Sequence, residues 1–188
     1  SIYDIPALSE SVKEEYRRSY VGVFYKRYIL GQWARAEGLI YNDFANNTSN
    51  YIYDSEPNGI AYINIGVDFG GTGSKHTFVC TGFTQNFKEV VVLEDKMIET
   101  NVSPAELDTL YVEFVKMCYN KYRKPITTYP DSAEQVLIKG FRLASLREGL
   151  VNQIFNAKKG EIKQRILLVL KLMGQGRFHI MRRWDRDR

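Results

Sequence analysis

The chain has 188 residues, which is enough for one domain with a sizeable core and an arm beside it. Its apolar fraction of 44% is typical of a folded globular protein, and no apolar run approaches the roughly 20 residues needed to span a bilayer, which excludes a membrane protein. Lys and Arg number 26 against 22 Asp and Glu, so the net charge of +4 permits a nucleic-acid partner without requiring one, and two cysteines are too few for a disulfide scaffold.

The first 58 residues predict a helical arm followed by a turn-rich connection. Residues 42–58 are rich in Asn, Asp, Ser and Gly, which is typical of turns. We therefore expect an arm or linker region over residues 1–58 and a separate domain over residues 59–188. Before the connection, apolar residues recur at helical spacing among charged ones, namely Tyr20, Phe24, Tyr28, Ile29 and Trp33.

Residues 61–84 predict a β-hairpin with a carboxylate beside its turn. Apolar residues alternate with polar or small ones up to Asp68, as expected of a strand with one covered face. A cluster of glycines follows, which gives the backbone freedom for a tight reversal, and the alternation resumes from Lys75. Asp68 is therefore expected at the end of a rigid strand, where its carboxylate is well placed to hold a hard metal ion.

Strands and helices alternate after the hairpin. Ser103 and Glu106 have the spacing of a capping box, which predicts the start of a helix. The apolar run at residues 90–93 is typical of a strand covered on both faces. The predicted elements are a strand at 89–98, a helix from 103 through 118, a strand at 125–129, a helix at 136–150, a short strand at 151–156, a helix at 160–173 and an edge strand at 177–181.

Three antiparallel strands, then a helix and a further strand, predict the fold class. This is the element order of an α/β domain with an RNase H-like mixed β-sheet flanked by helices. The order brings the ends of the first and fourth strands side by side. Because Asp131 follows the strand at 125–129, its carboxylate is expected to lie close to that of Asp68.

Two converging aspartates suit divalent-metal chemistry. Mg²⁺ and Mn²⁺ prefer oxygen ligands, and two-metal hydrolysis of phosphodiesters uses ions about 3.5 to 4 Å apart. Each aspartate also has a purely structural interpretation, because Asp68 could stabilise a turn and Asp131 could cap a helix that begins at Ser132. The pattern alone leaves both interpretations open.

Three segments resemble the large terminase subunits of tailed bacteriophages, of the PBSX type. They are FYKRYILGQWARAEGLIYNDF at 24–44, GVDFGGTGSKHTFVCTGFT at 66–84 and YPDSAEQVLIKGFR at 129–142. The resemblance implies the C-terminal nuclease domain, a metal-dependent DNA endonuclease that cuts concatemeric viral DNA during genome packaging. It also implies that Asp68 and Asp131 are catalytic and hold two Mn²⁺ or Mg²⁺ ions. The implied partners are double-stranded DNA, the terminase small subunit and the portal protein, in the host-cell cytoplasm.

Two features bear on how much of a terminase subunit is present. The stretch GGTGSK places Ser74 between glycine and lysine, so it is not a G-x-x-x-x-G-K-[ST] phosphate loop, and we expect a nuclease region without the packaging ATPase. The resemblance also implies a third acidic metal ligand after the last strand. Asp185 or Asp187 could supply it, although a short charged tail is also typical of a solvated chain end.

Basic residues are candidates for contacts with DNA phosphates, which require only well-placed positive charge. The expected DNA-binding set consists of Lys75, beside the hairpin turn, and of Lys139 and Arg142, on a predicted helix. A solvated surface of mixed charge is the alternative. Arg123, Lys124, Arg147, Lys158 and Lys159 extend the same set. His76 and His179 are expected to be structural, because neither accompanies a nucleophile motif.

Two other functions remain compatible with the sequence. The stretch GVDFGGTGSK also resembles the phosphate-binding turn of the sugar kinase and actin-like ATPase superfamily, whose members need a second domain and about twice this length. A non-catalytic DNA-binding or docking module is the other alternative. ATP-dependent thermal stabilisation would favour the first, and DNA binding without cleavage would favour the second.

Overall fold

The computed structural model describes residues 3, 6–20, 24–31, 39–71, 74–99 and 101–182. The part of the chain so described divides into two compact units. Residues Ser55–Lys159 form the first, here called the sheet unit, and Ser1–Asp54 with Gly160–Arg188 form the second, here called the terminal unit. Across those ranges no helix is both long and apolar enough to cross a membrane. The boundary predicted at residue 58 stays a prediction.

Helices and strands follow the predicted order closely. The helices are α1 (Glu10–Ser19), α2 (Asn42–Asn46), α3 (Pro104–Tyr122), α4 (Gln135–Arg147) and α5 (Ile162–Gly174). The strands are β1 (Ile52–Tyr53), β2 (Ile60–Asp68), β3 (His76–Thr84), β4 (Val90–Ile98), β5 (Ile126–Pro130), β6 (Gln153–Ile154) and β7 (Phe178–Met181). A π-helical turn covers Tyr25–Ile29, and 3-10 turns cover Thr48–Tyr51 and Gln85–Phe87.

The described residues of the sheet unit form one mixed sheet with the strand order β4-β3-β2-β5-β6. Strands β2, β3 and β4 form an antiparallel meander. Strand β5 is parallel to β2, and β6 is parallel to β5. The predicted mixed sheet is therefore confirmed, with the first and fourth strands of the unit as direct neighbours.

Helices α3 and α4 cover one face of this sheet. Phe78 of β3 is fully buried, and its ring lies 5.7 Å from that of Phe114 on α3 and 6.0 Å from that of Phe141 on α4. Side chains of a strand alternate between faces, so the buried Ile65 and Val67 of β2 share this covered side. The alternate residues Asn64, Gly66 and Asp68 face the other way.

Helix α3 begins with the predicted capping box. The Ser103 hydroxyl accepts a hydrogen bond from the Glu106 amide at 3.3 Å, and the Glu106 carboxylate accepts one from the Ser103 amide at 2.7 Å. The prediction for β4 was only partly right. Val91 and Leu93 are buried, whereas Val90 and Val92 are half-buried, so the strand alternates instead of being covered on both faces.

The terminal unit packs α1 against α5 and pairs β1 with β7 in parallel. The Gln175 side-chain amide donates to the Ser19 hydroxyl at 3.4 Å. The rings of Tyr53 and His179 stack with their centres 4.0 Å apart, which agrees with a structural role for His179. The prediction that residues 42–58 are only a turn-rich connection is wrong, because α2 and β1 lie there.

Candidate metal centre

Asp68 is the last residue of β2, and its side chain is exposed. The residues on either side of it pack inward. Val67 is 5% exposed, and the ring of Phe69 lies 5.6 Å from that of Phe141 on α4. Because neighbouring residues of a strand point to opposite faces, this packing directs the Asp68 carboxylate away from α3 and α4.

The turn that follows Asp68 is braced by hydrogen bonds. The Gly70 amide donates to Nδ1 of His76 at 3.1 Å, and the Gly71 amide donates to the Ser74 hydroxyl at 2.9 Å. A Cβ atom at position 70 would lie 2.6 Å from the carbonyl carbon of Lys75, so the close approach of the two backbones requires glycine there. His76 therefore has the structural role expected of it, as an acceptor that closes the turn.

Asp131 lies beside Asp68 at the end of the neighbouring strand. Val67 pairs with Pro130, the last residue of β5, and the Asp131 amide donates to the Val67 carbonyl oxygen at 2.9 Å. That bond closes the ladder at Val67 and Pro130, so Asp68 and Asp131 are the next residues along the two chains. Val67 and Pro130 are both buried, and strand side chains alternate between faces, so the two aspartates are expected to share the opposite face at neighbouring strand ends.

The interpretation of Asp131 as a helix cap is wrong. Helix α4 begins at Gln135, and its cap residue Glu134 makes no side-chain capping bond. Instead, Oδ1 of Asp131 accepts a hydrogen bond from the Ala133 amide at 3.0 Å and lies 2.7 Å from Nζ of Lys159. The carboxylate is thus fixed by a turn on one side and an ion pair on the other.

Lys159 reaches this position because the chain continues beside β5 after β6 ends. The Phe155 amide donates to the Thr128 carbonyl at 3.0 Å, and the Ala157 amide donates to the Pro130 carbonyl at 2.9 Å. Three parallel segments therefore end together, with Asp68, Asp131 and Lys159 at their tips. The sequence singled out Lys159 only as one of several basic residues. Its place beside Asp131 depends on the bonds of Phe155 and Ala157 to β5, which no local sequence pattern indicates.

The other predicted site residues have different surroundings. Lys75 pairs with Glu99 at 2.6 Å, and Lys139 is exposed on α4. The guanidinium of Arg142 donates to the Ile154 carbonyl and to Oδ1 of Asn156, both at 3.3 Å, so it supports the chain that leads to Lys159. The DNA-binding roles of Lys75, Lys139 and Arg142 stay predictions. Asp185 and Asp187 lie outside the described residues.

The donor chemistry of the two aspartates fits Mg²⁺ or Mn²⁺. Both offer carboxylate oxygens, and Mg²⁺ is commonly bound by one or two carboxylates while it keeps several waters. Within the described ranges no group of three or more His, Cys, Asp or Glu residues is close enough to hold a metal ion. A site built on Asp68 and Asp131 therefore needs either waters or a ligand from another part of the chain.

Comparisons with known proteins bear on the fold. No protein-family model matches the chain, and no curated protein matches it. The nuclease domain of the P22 large terminase superimposes with a TM-score of 0.52, at 13% identity, over 71% of this chain and 68% of that chain. The nuclease domain of the large terminase (g2p) of bacteriophage SPP1, solved with bound Mn, gives 0.44 at 22% identity over 70% of both chains. Thermus thermophilus RuvC gives 0.41 at 12% identity, over 61% of this chain and 79% of that chain.

These matches concern the fold and not the activity. The chain has the fold of the P22 large terminase nuclease domain, which confirms the RNase H-like fold class expected from the sequence. At 13% identity the likeness reaches no further than the fold.

Proposed function

We propose that this chain is a metal-dependent DNA endonuclease, the nuclease region of a large terminase subunit that cuts concatemeric viral DNA during packaging. The observation that carries the proposal is the parallel ladder between β2 and β5, whose last pair, Val67 and Pro130, directly precedes Asp68 and Asp131. The fold shared with the P22 large terminase nuclease domain supports it. So do the three segments that resemble large terminases in the same order along the chain.

Asp68 and Asp131 are the proposed metal ligands and catalytic residues. A divalent ion held by their carboxylates supplies the Lewis acidity that activates a water and stabilises the leaving oxygen in phosphodiester hydrolysis. Hydrogen bonds brace the turn after Asp68, and the Ala133 amide holds the Asp131 carboxylate before any ion binds. By the same resemblance to large terminases, the proposal includes a second ion and Asp185 as a candidate third ligand.

The proposed substrate is double-stranded DNA. Lys75, Lys139 and Arg142 are proposed to contact its phosphates, which carry no sequence information. The described residues contain no element that resembles a reader of base edges, so little sequence preference is expected from this region itself. The terminase small subunit and the portal protein, in the host-cell cytoplasm, are the proposed partners that choose where the cut is made.

Cleavage of supercoiled plasmid tests the proposal. The protein is incubated with plasmid and Mn²⁺, and separately with Mg²⁺, alongside the variants Asp68→Asn and Asp131→Asn. Wild type is expected to nick and linearise the plasmid, and each variant to be slower by at least about 100-fold. Glu134→Gln is the matched control, because Glu134 is exposed, lies near Asp131 and makes no capping bond. Its rate is expected to equal that of wild type.

The alternatives give different results in the same experiment. Wild-type protein that shifts DNA without cutting it would point to a docking module, and stabilisation by ATP would point to a nucleotide-binding domain. Cleavage that persists unchanged in both aspartate variants would remove Asp68 and Asp131 from the mechanism. Thermal unfolding of each variant checks that loss of cleavage does not reflect loss of the fold.

A further inference from the structure

Lys159 brings a positive charge directly to one of the two proposed metal ligands. Its ammonium lies 2.7 Å from Oδ1 of Asp131, and the side chains are 55% and 34% exposed. An ammonium at this distance forms a charge-assisted hydrogen bond that orients the carboxylate. In the protein without metal, Lys159 therefore neutralises the negative charge of the Asp131 carboxylate, to which a divalent ion is proposed to bind.

The position of Lys159 is built by the backbone. The Ala157 amide bonds to Pro130 at the end of β5, only two residues before Lys159. The side chain of Asn156 is held by two residues of α4, because it accepts from Arg142 at 3.3 Å and donates to Gln135 at 3.4 Å. A lysine positioned at a strand end by these three contacts is not an incidental neighbour of Asp131.

We propose that Lys159 is the resident counter-ion of Asp131, that a divalent ion displaces its ammonium, and that the released ammonium binds a DNA phosphate beside the metal centre. This inference rests on the proposed function. A divalent ion on the same carboxylate repels the ammonium at close range, since like charges there interact strongly. The ion pair is partly solvated and the lysine stem is flexible, so the displacement has a small cost.

Lys158 offers a matched control. It is exposed, it immediately precedes Lys159 in the chain, and its replacement by Met changes the net charge by the same amount. Effects of general charge on metal or DNA binding are therefore expected in both Lys158→Met and Lys159→Met. Effects of the contact with Asp131 are expected only in Lys159→Met.

The first measurement is Mn²⁺ affinity by calorimetry, without DNA. Lys159→Met is expected to bind Mn²⁺ about two- to fivefold more tightly than Lys158→Met, the change that loss of one partly exposed ion pair allows. Equal affinities in the two variants would overturn the inference and leave the proposed nuclease standing. If wild type and both variants bind no Mn²⁺, the metal site fails, and the inference fails with it.

The second measurement is the affinity for a short DNA duplex, by fluorescence anisotropy with and without Ca²⁺, a hard cation that also prefers carboxylate oxygens. Lys158→Met is expected to weaken binding by the same factor in both conditions. Lys159→Met is expected to weaken binding more with Ca²⁺ than without it, because its ammonium is available to phosphate only after displacement. An effect of Lys159→Met that is independent of Ca²⁺ would overturn the release step.

Discussion

The backbone amide of Asp131 donates a hydrogen bond to the carbonyl oxygen of Val67 across 2.9 Å. This bond belongs to the last pair of the β2–β5 ladder, which sets the register in which the ends of the two strands meet. A slip of one residue would turn the side chain of Asp131 to the face that α3 and α4 cover. The proposed centre therefore depends on strand pairing as much as on the two carboxylates.

The first prediction concerns the two aspartates as a unit. Because both are proposed to hold the same ions, removing the second carboxylate after the first removes little more. The double variant Asp68→Asn/Asp131→Asn is expected to cut plasmid no more slowly than the slower single variant, as for residues that act together. Initial rates of plasmid nicking give the comparison. Losses that multiply would show that the two aspartates act independently.

The second prediction concerns the hairpin turn. Gly70→Ala is expected to lower the free energy of unfolding by about 1 to 3 kcal/mol, because its Cβ would lie 2.6 Å from the backbone of Lys75. Gly71→Ala is the control, since a Cβ there meets nothing within 4 Å. Its effect is expected to stay within about 0.5 kcal/mol. Urea denaturation measures both, and equal losses would contradict the close approach at Gly70.

The third prediction concerns a buried polar network between Tyr111 of α3 and Thr128 of β5. The hydroxyl of Tyr111 lies 2.8 Å from Oγ1 of Thr128, which is fully buried, and accepts a bond from the Asn152 side chain at 2.8 Å. Tyr111→Phe leaves both partners short of a bond and is expected to cost about 1 to 3 kcal/mol. A double-mutant cycle with Thr128→Val is expected to give a coupling of about 0.5 kcal/mol or more. Additive losses would exclude the pairing.

The fourth prediction concerns pH and the cap of α3. Hydrogen bonds from the amide and hydroxyl of Ser103 lower the pKa of Glu106 below its ordinary 4.5. A lowered pKa in the folded state means that the charged form stabilises the fold above pH 4.5 and that this contribution is lost as the pH falls through the folded pKa. Glu106→Gln should therefore destabilise at pH 7 and have little effect at pH 2.

Urea denaturation at both pH values measures this difference. Glu134→Gln is a control at a helix start without a capping bond, and it is expected to change stability little at either pH. A deficit for Glu106→Gln that is the same at both pH values would mean that the charge of Glu106 contributes nothing to the cap.

Local patterns predicted the elements of the sheet unit well. The alternation of apolar and polar residues that ends at Asp68 reflects a strand with one covered face. The capping box at the start of α3 depends only on Ser103 and Glu106, which are three positions apart. Such signals need no knowledge of the rest of the fold. Strand β1 was missed because it has only two residues, in a stretch whose composition is that of turns, and its partner β7 lies near the other end of the chain.

Local patterns were also enough to place two of the candidate site residues, but not the third. Asp68 and Asp131 could be named because one ends and the other directly follows a recognisable strand. Lys159 could not be distinguished from the lysine before it, because its contact with Asp131 depends on how β6 and the residues after it align with β5. The capping interpretation of Asp131 failed because α4 starts only at Gln135, after a turn closed by the Asp131 carboxylate itself.

Anomalous diffraction from crystals soaked in Mn²⁺ tests most directly whether Asp68 and Asp131 bind the same ions. We expect a peak within about 2.0 to 2.4 Å of a carboxylate oxygen from each residue, and a second peak about 3.5 to 4 Å away if two ions bind. Peaks at only one of the two aspartates, or none at saturating Mn²⁺, would contradict the proposed metal centre.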